Sequence, residues 1–270
     1  MRDTLGTLMW LVEAGADEAI GEAPVNRLAA VRQAPPAPVA ASRPVPPRAQ
    51  PQPAVPQPLP LAGDTVGDAM ALAARATSLA ELKAAMEGFE GCALKQTATN
   101  TVFADGTPEG GVLFIGEAPG RDEDRIGRPF VGRAGQLLDR MLASIGLDRA
   151  VNCYITNVIN WRPPGNRDPS PEEAAQCLPF LRRHIELADP GVIVLLGAVA
   201  ARHVMGFSEG IMKSRGRWME YRVGDHMVPV MPTLHPAYLL RQPAHKKLAW
   251  RDLQALAAKM ESLGLPRRAS

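Results

Sequence analysis

Residues 111–133 read GVLFIGEAPGRDEDRIGRPFVGR, and the join inside that stretch decides the fold. GVLFIG is a short continuous apolar run that ends in glycine, the pattern of a strand buried on both faces. It gives way at once to a Gly- and Pro-punctuated polar loop, and then to a helical pattern over 134–145. The same alternation recurs outward from there. Apolar runs rich in Val and Ile stand at 153–158 (CYITNV), 192–197 (VIVLLG) and 228–233 (VPVMPT). Helical periodicity covers 171–188 and 198–205 between them, and 245–263 after the last. Strands that alternate with helices need crossover connections, and these give a parallel sheet with helices on both sides. The expected architecture is a three-layer α/β/α domain around a small four-stranded parallel sheet.

Upstream the character changes. Residues 1–23 read as an amphipathic helix, with Leu5, Leu8, Met9, Val12 and Ile20 near helical spacing. Residues 24–64 read as a Pro/Ala-rich disordered linker: 11 of the 26 prolines fall between Pro35 and Pro60, with only two charges. A ligand for a proline-binding module is the alternative for that stretch. Residues 65–270 form the globular domain, with Ser78-Leu-Ala-Glu81 as a capping box opening a helix through about Met86.

Several classes drop out on composition. An apolar share of 46% supports a sizeable core. Three scattered cysteines, Cys92, Cys153 and Cys177, are no disulfide framework and suit a reducing compartment. The opening MRDTLGTLMWLVEAG has a short apolar run bracketed by Asp3 and Glu13 and no small-x-small site, so a signal peptide is not expected. No apolar run is long enough to span a bilayer. A cytoplasmic location is the expectation. The net charge of +2 permits contact with a phosphate backbone without demanding it.

In open parallel sheets ligands bind beyond the carboxyl ends of the strands, so the loops there carry the functional reading. The first strand runs into Gly116-Glu117-Ala118-Pro119-Gly120, the second carries Asn157 and continues into WRPPGNRDP, and the last runs into LHPAYLLR at 234–241. The first loop lacks the Lys-Ser/Thr of a Walker phosphate loop and the three glycines of a dinucleotide turn. What is left is a turn offering backbone N–H groups and one carboxylate, Glu117; a purely structural turn reads equally well. The charges from Arg121 to Arg128 could be a solvated loop, and Phe130 a core plug or a stacking platform. His235 could be structural. Yet Leu239-Leu240 followed by Arg241 suits a wedge entering a base stack with a cation at the phosphates.

Together GEAPGRDEDRIGRPFVGRAGQLL, YITNVINWRPPGNRDPSPEE, VIVLLGAVA and LHPAYLLR resemble the family-4 uracil-DNA glycosylases, over roughly 89–256. The resemblance implies hydrolysis of the N-glycosidic bond of deoxyuridine in DNA by a monofunctional, monomeric base-excision repair enzyme. It implies that Glu117 holds or activates water, that amides around Gly116 and Glu117 meet a uracil carbonyl, and that Glu123 excludes a 5-methyl group. Phe130 would stack on the flipped base, Asn157 would read its amide edge, and His235 would stabilise charge at O2. Leu239, Leu240 and Arg241 would contact DNA. A non-catalytic nucleic-acid binder with the same fold is the alternative from another class. A uracil-trapping relative that stays joined to DNA is a third reading, disfavoured because GNRDPSPEE contains no His. The sequence names no protein partner for the N-terminal helix.

The family also implies a [4Fe–4S] cluster held by four cysteines. Here Cys92 and Cys177 stand at two of those positions, and Phe89 and Trp161 stand at the other two. Two thiolates fall short of the four such a cluster takes. The expectation is therefore no cofactor, with Phe89 and Trp161 filling the space and Cys153 acting as a small buried hydrophobe.

Overall fold

The computed structural model describes residues 64–266. The N-terminal helix and the proline-rich linker expected over 1–23 and 24–64 lie outside the described residues, apart from Asp64. That residue caps the first helix: its carboxylate accepts the N–H of Gly67.

Helices α1 (Thr65–Arg75), α2 (Leu79–Gly88) and α3 (Ala93–Thr97) come first. The expected capping box is only half formed. Ser78 Oγ accepts the N–H of Glu81 at 3.2 Å, but Glu81 turns its carboxylate to Thr77 instead, accepting from its N–H at 2.7 Å and its hydroxyl at 2.8 Å. The chain then alternates: β1 (Asp105–Gly106), β2 (Val112–Gly116), α4 (Arg121–Ile126), α5 (Arg133–Ala143), β3 (Tyr154–Asn157), α6 (Pro171–Ala188), β4 (Val192–Leu196) and α7 (Ala198–Met205). It closes with α8 (Ile211–Ser214), β5 (Met219–Val223), β6 (His226–Thr233), α9 (Pro236–Arg241) and α10 (Lys246–Ser262). Helix α6 starts with a full capping box, Glu173 N–H to Ser170 Oγ and Ser170 N–H to Glu173 Oε2.

The sheet has six strands in the order β1-β3-β2-β4-β6-β5. Its four inner strands are the expected parallel set. The expectation of four strands is corrected by two antiparallel edges, β1 on β3 and β5 on β6. Both are hard to read from composition. β1 is two residues long, and β5 (MEYRV) lies half exposed, so it lacks an apolar run. The turn that returns β5 into β6 does carry a signal, since Gly224-Asp225 bridges the paired Val223 and His226.

The buried strands divide their side chains strictly by period two. Leu113, Ile115, Ile193 and Leu195 point to one layer with Leu82, Phe180, Leu181 and Ile185 from α2 and α6. Val112, Phe114, Val192, Val194 and Leu196 point to the other with Leu138 and Leu142 from α5 and Leu253, Leu256 and Met260 from α10. Each such fully buried side chain contributes about 1.5–3 kcal/mol. The sheet is thus fixed on both faces, and the carboxyl ends of β2, β3, β4 and β6 are held as one rigid rim.

Candidate active site

On that rim lies a cavity of about 320 Å³ lined by Glu117, Glu123, Phe130, Asn157, His235 and Arg241, together with Arg167 and small residues of the adjoining loops. Glu117 follows β2, Asn157 ends β3 and His235 follows β6, so three strands supply the three polar groups. A larger cavity of about 600 Å³ lies away from this rim beside Asp105, Asp139 and Arg149. Its charged groups are spent on each other through Arg149–Asp105, Arg149–Asp139 and Arg128–Asp105 pairs, so the rim cavity is the better candidate for chemistry.

Asn157 is 2% exposed, and its Oδ1 is the one buried side-chain polar atom without a hydrogen-bond partner among the described residues. An unmet buried acceptor costs about 1–3 kcal/mol, which a ligand donor would recover. Gly116 does not line the cavity; its contribution is space. A Cβ there would come within 2.4 Å of Asn157 Oδ1 and 2.6 Å of the Phe130 ring. The absence of a side chain at the end of β2 is what lets amide and ring meet.

His235 caps α9. Its Nδ1 accepts the N–H of Ala237 at 3.1 Å, which leaves the ring proton on Nε2. Burial, helped by the positive charge of Arg241, lowers its pKa to about 4, so the ring is neutral near pH 7. Its ring stands 5.5 Å from that of Phe130, tilted by 32°. The turn after β4 proves to be more than a connection. Gly197, with φ of 95°, would carry a Cβ only 3.1 Å from His235 Cβ, so its missing side chain gives the histidine its seat. Its φ belongs to the fold, and the sequence offered only a glycine between a strand and a helix.

Burial is the main cause that raises the Glu117 pKa above the usual carboxylate range; Asp168 adds to this and Arg202 opposes it. Arg202 on α7 and Asp168 in the RPPGNRDP loop were not singled out from sequence. Arg167, in the same loop, lines the cavity and pairs with Glu173 at the start of α6.

The acids of the RDEDR stretch have separate tasks. Asp124 is buried and accepts the N–H groups of Thr99 and Asn100 at 2.8 and 3.2 Å. Glu123 Oε1 accepts the N–H groups of Val131 and Gly132 at 2.9 and 2.8 Å, bracing the turn that carries Phe130. The expected wedge needs correction. Leu239 is 1% exposed and packs with Leu137, Leu234 and Ala249, because the α9 helix turns that face into the core. Leu240 is half-buried and Arg241 exposed, so these two are the members of the trio that solvent reaches.

The residues at the implied cluster site do not fit a [4Fe–4S] group. Phe89, Cys92, Trp161 and Cys177 are all buried in one hydrophobic layer. The Phe89 ring packs 5.2 Å from Phe180, edge-on, and folds over Gly91, where a Cβ would meet it at 2.4 Å. Trp161 Nε1 donates to Thr101 Oγ1 at 3.0 Å. The two thiols lie against each other, a contact that lowers the Cys92 thiol and, with burial, pushes the Cys177 thiol well up, and two sulfurs fall short of the four such a cluster takes. Cys153 is buried as expected, its pKa raised to about 12 by burial.

This doubly covered sheet, with a polar cavity on its rim, corresponds to a known class. The model of the uracil DNA glycosylase superfamily matches residues 103–254, and the chain belongs to that superfamily. Within it the similarity is to type-4 members. A type-4 uracil-DNA glycosylase of Archaeoglobus fulgidus is 46% identical over 56% of this chain and 78% of its own length. One from Thermotoga maritima is 45% identical over 57% and 79%. One from Sulfurisphaera tokodaii is 39% identical over 66% and 83%. Among the described residues no helix is long and apolar enough to cross a membrane.

Proposed function

We propose that this chain is a monofunctional uracil-DNA glycosylase that removes uracil from DNA by hydrolysis and leaves an abasic site. The observation that carries the reading is the orphaned Asn157 Oδ1, buried beside Phe130 and sharing one cavity with His235. Uracil N3–H would satisfy that oxygen, while the Asn157 amide N–H would meet uracil O4, a donor–acceptor pair that matches this edge of the base. An extruded base is held by such edge bonds plus stacking, here on Phe130. Glu123, with one oxygen braced on the turn, leaves a carboxylate face toward the cavity that disfavours a 5-methyl group.

The bond from sugar C1′ to uracil N1 breaks with its electron pair on the base. The neutral His235, with its proton on Nε2, donates to the developing charge at O2. Water adds to C1′ and Glu117 takes its proton, which a raised pKa favours. The cation-like sugar follows the general pattern of glycosidic cleavage. No step is routed through an iron–sulfur group, since the chain does not supply the four thiolates such a group takes. Arg241, exposed at the cavity, would meet the DNA backbone, and the half-buried Leu240 the vacated stack. A monomer is the state proposed, and three cysteines outside any disulfide suit a cytoplasmic location.

The test is excision from labelled single-stranded, U:G and U:A oligonucleotides, with Glu117→Ala and His235→Ala as controls. Alkali-labile product from the wild type, strongly reduced in both variants, supports the reading. Folded protein with no product on any substrate would leave a non-catalytic nucleic-acid binder in its place.

A further inference from the structure

Among the described residues only three non-glycine residues have positive φ, and Phe130, at 54°, is one of them. A bulky aromatic residue is disfavoured there, so surrounding groups must hold it. They do so from both sides. Arg149, in the connection between α5 and β3, donates from Nη1 to the Pro129 carbonyl at 2.7 Å and from Nη2 to the Phe130 carbonyl at 2.6 Å. Glu123 takes the N–H groups of Val131 and Gly132. A cation thus grips the carbonyls of the turn and an anion its amides, each matching the polarity it faces.

The guanidinium is itself held. Its Nε donates to Asp139 at 2.7 Å and Nη1 to Asp105 at 3.1 Å, and the side chain is only 13% exposed. Gly135 closes the remaining direction, since a Cβ there would lie 1.8 Å from the Phe130 carbonyl oxygen. Arg149 itself does not line the cavity that holds Phe130, Asn157 and His235.

We infer that Arg149 is a positioning residue for base recognition: its fork fixes the left-handed Phe130 backbone, and so the plane on which the flipped uracil stacks. This rests on the reading of Phe130 as the stacking platform. Lysine keeps the charge but offers a point donor in place of a planar fork that serves two carbonyls and two carboxylates at once.

The experiment is a double-mutant cycle with Arg149→Met and Phe130→Ala, plus Arg149→Lys. It is read by affinity for free uracil in titration calorimetry, by the kcat and KM of excision, and by Tm. The expected result is that Arg149→Met weakens uracil binding about tenfold and raises KM more than it lowers kcat. Arg149→Lys should recover part of the loss. In the Phe130→Ala background Arg149→Met should add nothing to the uracil defect. Should Arg149→Met fail to fold, Arg149→Lys and Asp139→Asn run the same cycle. A fall in Tm with unchanged uracil affinity, or an equal loss in both backgrounds, would overturn the role of Arg149. Unchanged affinity in Phe130→Ala alone would overturn the stacking reading itself, and the inference with it.

Discussion

Phe89 and Trp161 place their ring centroids 6.3 Å apart at 31°, inside the layer that also buries Cys92 and Cys177. Where a four-thiolate site would need two more ligands, this chain has a packed aromatic contact. The protein as purified is expected to contain no stoichiometric iron and no broad visible absorbance; about four irons per chain would contradict this. The same packing makes a stability prediction. Trp161→Ala removes a fully buried ring and should cost about 3–5 kcal/mol in chemical denaturation, with no dependence on iron supply during expression.

Gly116 tests the geometry of the cavity without replacing any of its polar groups. Gly116→Ala places a methyl 2.4 Å from Asn157 Oδ1 and 2.6 Å from Phe130, inside contact distance of both. One of them must move. Excision should fall by at least about a hundredfold, a loss of the size expected when a positioned group shifts by roughly 1 Å. Because the strain falls on two side chains at the rim, the denaturation midpoint should move far less than for Trp161→Ala.

The pH dependence follows from Glu117 and the buried histidines. Glu117 must be ionised to accept a proton, and burial holds its pKa above the ordinary carboxylate value. The acid limb of kcat/KM should therefore lie above that value, and Glu117→Gln should remove the limb along with most of the activity. Stability has its own acid dependence. Burial lowers His184 to about 3 and His235 to about 4, both below their unfolded value of about 6.5. Stability from the two is complete above pH 6.5 and is lost as pH falls toward 4, because the unfolded chain takes the protons first. Between pH 6.5 and 4.5 each costs about 2–3 kcal/mol. Denaturant titrations across that range, on the wild type and His184→Gln, measure the share of His184; an unchanged slope in the variant would contradict it.

Much of this was legible in the sequence because parallel strands buried on both faces announce themselves. GVLFIG and VIVLLG have no other reading in an α/β pattern, and the loops after them must then share one rim. That rule brought Glu117, Asn157 and His235 into view as strand-end residues, and their roles came from the family resemblance. The edge strands were not, since β5 is half exposed and β1 is only two residues long. Leu239 was misassigned because a Leu-Leu pair does not say which member a helix turns inward; α9 buries Leu239 and leaves Leu240 half covered. Arg149 and Gly197 carried no motif. Their tasks are contacts with backbone and with a side chain far along the chain, which only the folded geometry brings together.

Asn157 is the most direct probe of what the cavity reads. Its Oδ1 has no hydrogen-bond partner among the described residues, so the cost of that buried acceptor is recovered when a donor enters. Asn157→Ala removes both halves of the donor–acceptor pair and should lower excision by about a hundred- to a thousandfold, with part of the loss in uracil affinity. Asn157→Asp keeps the shape but, once ionised, can only accept, so it leaves uracil O4 facing a carboxylate. It should bind uracil no better than the Ala variant at neutral pH and recover affinity as the carboxyl is protonated. Calorimetric titration with free uracil at pH 7.5 and pH 5 separates the two variants. If Asn157→Asp bound uracil as tightly as the wild type at both values, the amide edge would not be what Asn157 reads.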